Sequence, residues 1–395
     1  MKDFWKEQPI EKPNLNKKKL AITIIIVILI IALISITIVY FKNNEARKWI
    51  DKNILRKEVM QDRVTTIELK EENITNVYAF NKYIGLLNKN KFSIYDSTGN
   101  EEKNLDIEIT NPLFSSANRF LAIAETKGQK IYLIEDKEIV WENTVDGNIS
   151  QVHVNKNGYV AVTIVDTSYK TVIEMFDPTG TEMFNSYLSF TRVADVSISN
   201  DNKYLAIAEI DTSGTMIKSN VKILSVEKAS TGVENELEYT YTAENNKLIV
   251  NVKYQDKNRL VCMYTDEIRI IEENKNDVLL FENQDKKVIF ETIELNNNAI
   301  IIEEKSSGLF TADSVVTIKD TEKKDFKEYI VNSVTKDLYT YGDTIALNLG
   351  TEIEFINTSG LLRKRYIANQ EITNVVLSEN IAGIIYRDKI EIVNL

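Results

Sequence analysis

Few residues of this chain stand in a pattern that chemistry could use. His153 is its single histidine and Cys262 its single cysteine. A histidine-dependent triad therefore has only His153 to draw on, and no histidine-rich metal site can form. No glycine-rich phosphate loop, HExxH helix or nucleophile elbow occurs. His153 falls in a predicted inner strand, where a packed, hydrogen-bonded imidazole is expected. Cys262 lies within the apolar run Leu260-Val261-Cys262-Met263 and reads as a small buried hydrophobe. One cysteine also excludes an intramolecular disulfide framework. The sequence calls for no cofactor and no metal. Carboxylates are abundant, and their separation is invisible in sequence, so a paired-carboxylate glycan hydrolase or lyase stays open as an alternative function.

The remaining chemistry-bearing residues are polar and apolar side chains on hairpin loops. Three stretches, 166–170, 209–220 and 303–314, are long or polar. Asp166-Thr167-Ser168 recurs as Asp211-Thr212-Ser213. Asp166, Tyr169, Asp211, Thr212, Met216, Leu309, Phe310 and Asp313 are the candidate binding residues. Tyr169, Met216, Leu309 and Phe310 supply the apolar anchors that a protein interface uses. Such a surface suits an envelope protein or a peptide. A further segment, 228–237, with Ser230-Thr231-Gly232, reads as a mobile insertion.

These loops need a scaffold, and a repeat supplies it. Eight hydrophobic runs centre on a mostly small residue: Gly85, Ala122, Ala161, Ala206, Val261, Ile301, Ala346 and Gly383. Their spacings are 37, 39, 45, 55, 40, 45 and 37 residues. A period of about 40 residues built from short strands predicts an all-β propeller. Eight four-stranded blades are expected; seven remain open, depending on the wide stretch between 206 and 261 and the weak copy at Ile301. The small central residue suits close packing of one sheet on the next. Asn81, Asn118, Asn157, Asn202 and Asn297 each lie four residues before a central position and predict a hairpin turn there. Asp96–Gly99, Asp177–Gly180 and Asn357–Gly360 share an Asx-x-(Ser/Thr)-Gly turn, expected between third and fourth strands. Residues 63–69 are expected to complete the last blade, whose repeat from 372 to 395 supplies only three strands.

The run Glu138-Ile139-Val140-Trp141 is similar to the end of a quinoprotein-like repeat. Ser199-Asn200-Asp201-Asn202-Lys203-Tyr204-Leu205-Ala206 resembles the inner hairpin of many bacterial WD-like propellers. The resemblance spans about residues 62–395 and implies the fold, not an activity. Trp141 is the only tryptophan in that region, so quinone chemistry is not implied. The layout also resembles single-pass propeller proteins of Gram-positive anaerobes, from which no role carries over.

Residues 20–41 form an uncharged apolar run, long enough to cross a bilayer as a helix. Lys17-Lys18-Lys19 abuts it on the N-terminal side, which favours a cytoplasmic N-terminus and an extracytoplasmic propeller. The expected division is a cytoplasmic tail (1–19), a transmembrane helix (20–41), a juxtamembrane helical linker (42–61) and the propeller (62–395). The linker reads equally as an interfacial amphipathic helix or as a stalk prolonging the span. The chain carries 12 basic and 6 acidic residues up to position 60, and 36 basic and 53 acidic beyond it. An acidic propeller repels a phosphate backbone, so no nucleic-acid partner is expected. The function expected is a membrane-anchored binding or scaffold module at the cell envelope. An extracellular ligand sensor is the other alternative, although residues 1–19 hold no recognisable signalling domain.

Overall fold

The computed structural model describes residues 17–69, 76–232, 236–244, 247–284, 287–308 and 311–395. The chain divides into two compact units between Lys57 and Glu58. In the first, helix α1 (Lys17–Lys42) is long and apolar enough over Lys18–Lys42 to cross a membrane, with mean hydropathy 3.4. Three of its four hydroxyls are satisfied within the helix. Thr23, Ser35 and Thr37 each donate to the carbonyl four residues back, at 3.0, 2.9 and 2.8 Å. Asn43 then leaves helical geometry, and its side chain caps α2 (Asn44–Asn53) by accepting from the Ala46 amide at 3.0 Å. The break rules out a continuous helical stalk. Asp51 is buried; Tyr40 donates to it at 2.8 Å and Lys57 pairs with it at 3.1 Å. The linker stays helical only to Asn53, because Glu58–Val59 already belongs to the propeller.

The second unit is an eight-bladed β-propeller. Blades 1 to 8 begin with the innermost strands Asn76–Phe80, Pro112–Ala117, Asn148–Val154, Thr191–Ile198, Ile249–Gln255, Val288–Leu295, Asp337–Tyr341 and Asn374–Leu377. Each blade runs outward as four antiparallel strands. The long 206–261 stretch holds parts of two ordinary blades, which settles the count at eight. Thr65–Glu68 pairs antiparallel with Lys389–Asn394 and completes blade 8, as the three-stranded last repeat required. Glu58–Val59 adds a short parallel fifth strand outside Leu362–Ile367 of blade 7. The core lies between blades, in apolar clusters that alternate around the ring. The small central residues act there: a Cβ on Gly383 would stand 3.2 Å from Ile84 of blade 1, and one on Gly85 would overlap Phe92 of its own blade.

Turn chemistry follows the sequence with one exception. Asn81, Asn118, Asn202 and Asn297 take positive φ, but at the Asn157 hairpin Gly158 takes it instead, at 84°. Asp96, Asp177 and Asn357 accept backbone N–H bonds from the residues two and four further on, at 2.8–3.0 Å. These turns join third and fourth strands, as expected. The fourth strand of blade 1 is Glu101–Asp106, and Ile107 and Ile109, which follow it, are buried in the cluster between blades 1 and 2. The expected mobile insertion begins instead with helix α3 (Val226–Thr231). Ser225 caps it, and Val226 and Ala229 are buried against the core between blades 3 and 4. Residues 233–235 lie outside the described set.

Candidate functional site in the axial channel and on the loop face

The innermost strand of each blade is an edge at the ring axis, so its N–H groups need partners that no fifth strand supplies. Side chains of the preceding blade take this role. Val154 N donates to Ser115 Oγ at 3.0 Å, Val252 N to Asp195 Oδ2 at 2.9 Å and Tyr254 N to Ser197 Oγ at 2.9 Å. β-Bulges between Ile149 and Gln151, Val193 and Asp195, and Ile249 and Asn251 interrupt the inner strands of blades 3, 4 and 5 at matching places. Such bulges re-aim side chains. Beyond them lie His153, Asp195 and Lys253, all lining one cavity of about 600 Å3.

This cavity occupies the channel mouth on the face of the first hairpins, where Asn118, Asn155, Asn200 and Asn296 follow their inner strands. His153 Nε2 stands 3.2 Å from Asp195 Oδ1, and Lys253 Nζ 2.8 Å from Glu294 Oε2. Tyr78 stacks on Phe114 with ring centroids 4.4 Å apart. Burial pushes the His153 imidazole down to about 4, helped by Lys253, and pushes the Asp195 carboxyl up to about 7. Burial also raises Glu294, but Lys253 outweighs it and holds that carboxyl below its usual range. The channel therefore keeps one ion pair and one neutral pair that shares a proton.

The neutral pair has a measurable consequence. Between pH 4 and 6.5 the folded pair carries its proton on Asp195, whereas the unfolded chain carries it on His153, so the two contributions cancel. His153→Gln isolates the raised carboxyl. The folded state then binds more protons than the unfolded between about 4 and 7, and stability is expected to fall as pH rises through that window. Asp195→Asn isolates the depressed imidazole, and stability is expected to rise with pH between about 4 and 6.5. Each variant should span about 2–3 kcal/mol, reduced by lumen water, in urea denaturation of the full chain in detergent across this range. Parallel slopes in the two variants would contradict the assignment.

The sequence marks the loop candidates on the opposite face. Loops between second and third strands share that face with the blade connections: Lys170 Nζ donates to Phe190 O at 3.0 Å, and Lys127 N to Ile149 O at 2.9 Å. Asp166 takes positive φ and accepts from Asn148 Nδ2 at 2.8 Å. Tyr169 packs on Tyr187, with ring centroids 4.8 Å apart. Phe190 beside them is 70% exposed. Asp211 ends a ladder opposite Lys218, and the Ser213 hydroxyl and amide hold its carboxyl below the usual range, with Lys170 adding to this. Thr212 and Met216 are exposed on the short loop that follows.

The structure thus brings together the candidates of blades 3 and 4. Asp313 is a ladder residue opposite Lys305 in blade 6 and does not join them. Leu309 and Phe310 lie outside the described residues. Tyr187 and Phe190 were missed because a strand residue and a two-residue connection carry no loop signal. Asp195, Lys253, Glu294 and Tyr78 were missed as well. For Tyr78 and Lys253 a usable signal was a polar or aromatic residue paired across the hairpin with the central position, Gly85 and Val261 respectively; Asp195 and Glu294 are not paired with Ala206 or Ile301 and carried no such signal. Among the described residues, no group of three or more His, Cys, Asp or Glu could hold a metal.

These features define an eight-bladed β-propeller that follows an N-terminal apolar helix. The chain belongs to the family of unknown function DUF5711, which matches residues 56–395. No curated protein matches its sequence. Among solved structures, BamB from Moraxella catarrhalis aligns with TM-score 0.50 and 13% identity, covering 84% of this chain and 99% of its own. The C-terminal WD40 domain of Sif2 aligns with TM-score 0.56 and 12% identity, over the same shares. Chaetomium thermophilum Sqt1, bound to the N-terminus of ribosomal protein L10, aligns with TM-score 0.54 and 10% identity, again over 84% and 99%. At these identities the likeness is one of fold.

Proposed function

We propose that this protein is a membrane-anchored propeller that docks an envelope protein or peptide on its loop face, outside the cytoplasm. The observation that carries the reading is the Tyr169–Tyr187 pair beside exposed Phe190, with Met216 and Ile217 each 48% exposed on the next blade. Aromatic and methionine side chains on a rigid frame are the composition of an interface centre. One propeller of similar fold, Sqt1, is solved bound to the N-terminus of ribosomal protein L10. Helix α1 supports anchoring by its length and apolar composition, and Lys17-Lys18-Lys19 supports the outward orientation.

Crosslinking in native membranes tests it, comparing the intact chain with a Tyr169→Ser, Phe190→Ser, Met216→Ser triple variant. A defined protein adduct, reduced about tenfold or more in the variant, is the expected result. A yield of adduct unchanged in the folded variant, or no protein adduct with either chain, would sink the proposal. Protease cleavage of the propeller in intact cells checks the orientation.

A further inference from the structure

The axial cavity lies on the face opposite the proposed partner face and does not depend on it. Its volume of about 600 Å3 falls in the range of small-ligand sites, and side chains of all eight blades line it. Its charge is unbalanced. With Asp195 held in the neutral pair, the charged groups that face it among the described residues are Asp256, Glu294 and Glu379 against Lys156 and Lys253. Glu294 is charged, and the way it holds Lys253 at 2.8 Å shows that this wall can hold an alkylammonium. Glu379 is exposed at the rim, close enough to raise the Tyr341 hydroxyl after burial has done so. Tyr78 and Tyr341 add aromatic walls of the kind that attract cations. The acids come from different blades, and no metal-binding group forms among the described residues. An organic cation, long enough to reach several of them, fits this spread better than a metal ion.

We propose that the axial cavity is a binding site for a primary alkylammonium group, held by Glu294 and Glu379 between the Tyr78 and Tyr341 side chains. The group could belong to a free diamine or to a lysine side chain of a peptide. Calorimetric titration of the full chain in neutral detergent separates these sources. The probes are 1,5-diaminopentane and an acetylated, amidated peptide with one lysine; 1,5-pentanediol and glutarate serve as controls. Tighter binding of the diamine assigns a small solute, and tighter binding of the peptide assigns a side chain. Glu379→Gln, a change at an exposed rim residue, and Glu294→Gln should each weaken the preferred probe about tenfold. The proposal is overturned if neither ammonium probe binds, if a control binds as well as the amines, or if the folded Glu379→Gln protein keeps full affinity.

Discussion

Glu354→Ala is expected to lower the unfolding free energy by about 3–5 kcal/mol, because it strands a buried guanidinium. Glu354 is fully buried in the third strand of blade 7. It accepts from Arg365 Nη2 at 2.9 Å and from Tyr329 Oη at 2.9 Å. Tyr329 belongs to the outermost strand of blade 6, so the carboxylate ties two blades together. Arg365 is 4% exposed, and Glu352 holds its Nε at 2.6 Å. Removing the carboxylate leaves that buried charge with the partly exposed Glu352 as its remaining ion-pair partner. Removing both charges is a different experiment. A Glu354→Leu, Arg365→Met double variant should recover most of the loss, since an apolar pair of similar volume avoids desolvating two ions. Tyr329→Phe should cost only about 1–2 kcal/mol, as one hydrogen bond to a charged group is lost. Urea denaturation of the four proteins measures all of this. A double variant as unstable as Glu354→Ala would show that the network is needed for packing rather than for charge balance.

The architecture was legible because blade packing leaves a periodic mark. A small residue at the centre of most second strands leaves room for neighbouring side chains, as the clash that a Cβ on Gly85 would make with Phe92 shows. The Asx-Gly turns were legible for a related reason, since the carboxamide or carboxylate that caps each turn lies within four residues of the groups it binds. The channel was not legible. His153 and Asp195 are 42 positions apart, and Lys253 and Glu294 are 41 apart. Their pairing depends on ring geometry and on bulges that displace the strand register by one residue. Alternation alone assigns the wrong face beyond such a bulge. The helical linker was overextended because Glu58 and Val59 look like a continuation of a charged helix, whereas the edge of blade 7 captures them as strand. The loop face was half legible: Tyr169 and Met216 sit on loops that sequence can find, but Tyr187 and Phe190, which complete the patch, do not.

The seam that closes the ring is expected to be as sensitive as the Glu354 network. Thr65–Glu68 pairs with Lys389–Ile392 across about 320 residues, so its contacts must offset a loop-closure entropy that grows slowly with length. Ile67 is the one buried side chain of that strand. It lies in a cluster with Ile84 and Leu86 of blade 1 and Ile390 and Ile392 of blade 8. Ile67→Asp would place a carboxylate there without a partner, and the strand would leave the blade rather than bury it. The expected loss is about 3–5 kcal/mol, whereas Ile67→Val should cost only about 1 kcal/mol. Release also uncovers the edge of Lys389–Asn394, which invites pairing with another copy. Amide exchange should therefore quicken first in 65–68 and 389–394, while blades 3 and 4 keep their protection, and dimers should appear as concentration rises. Uniform acceleration around the whole ring would mean that the propeller opens as one unit and that the seam is no weaker than any other blade contact.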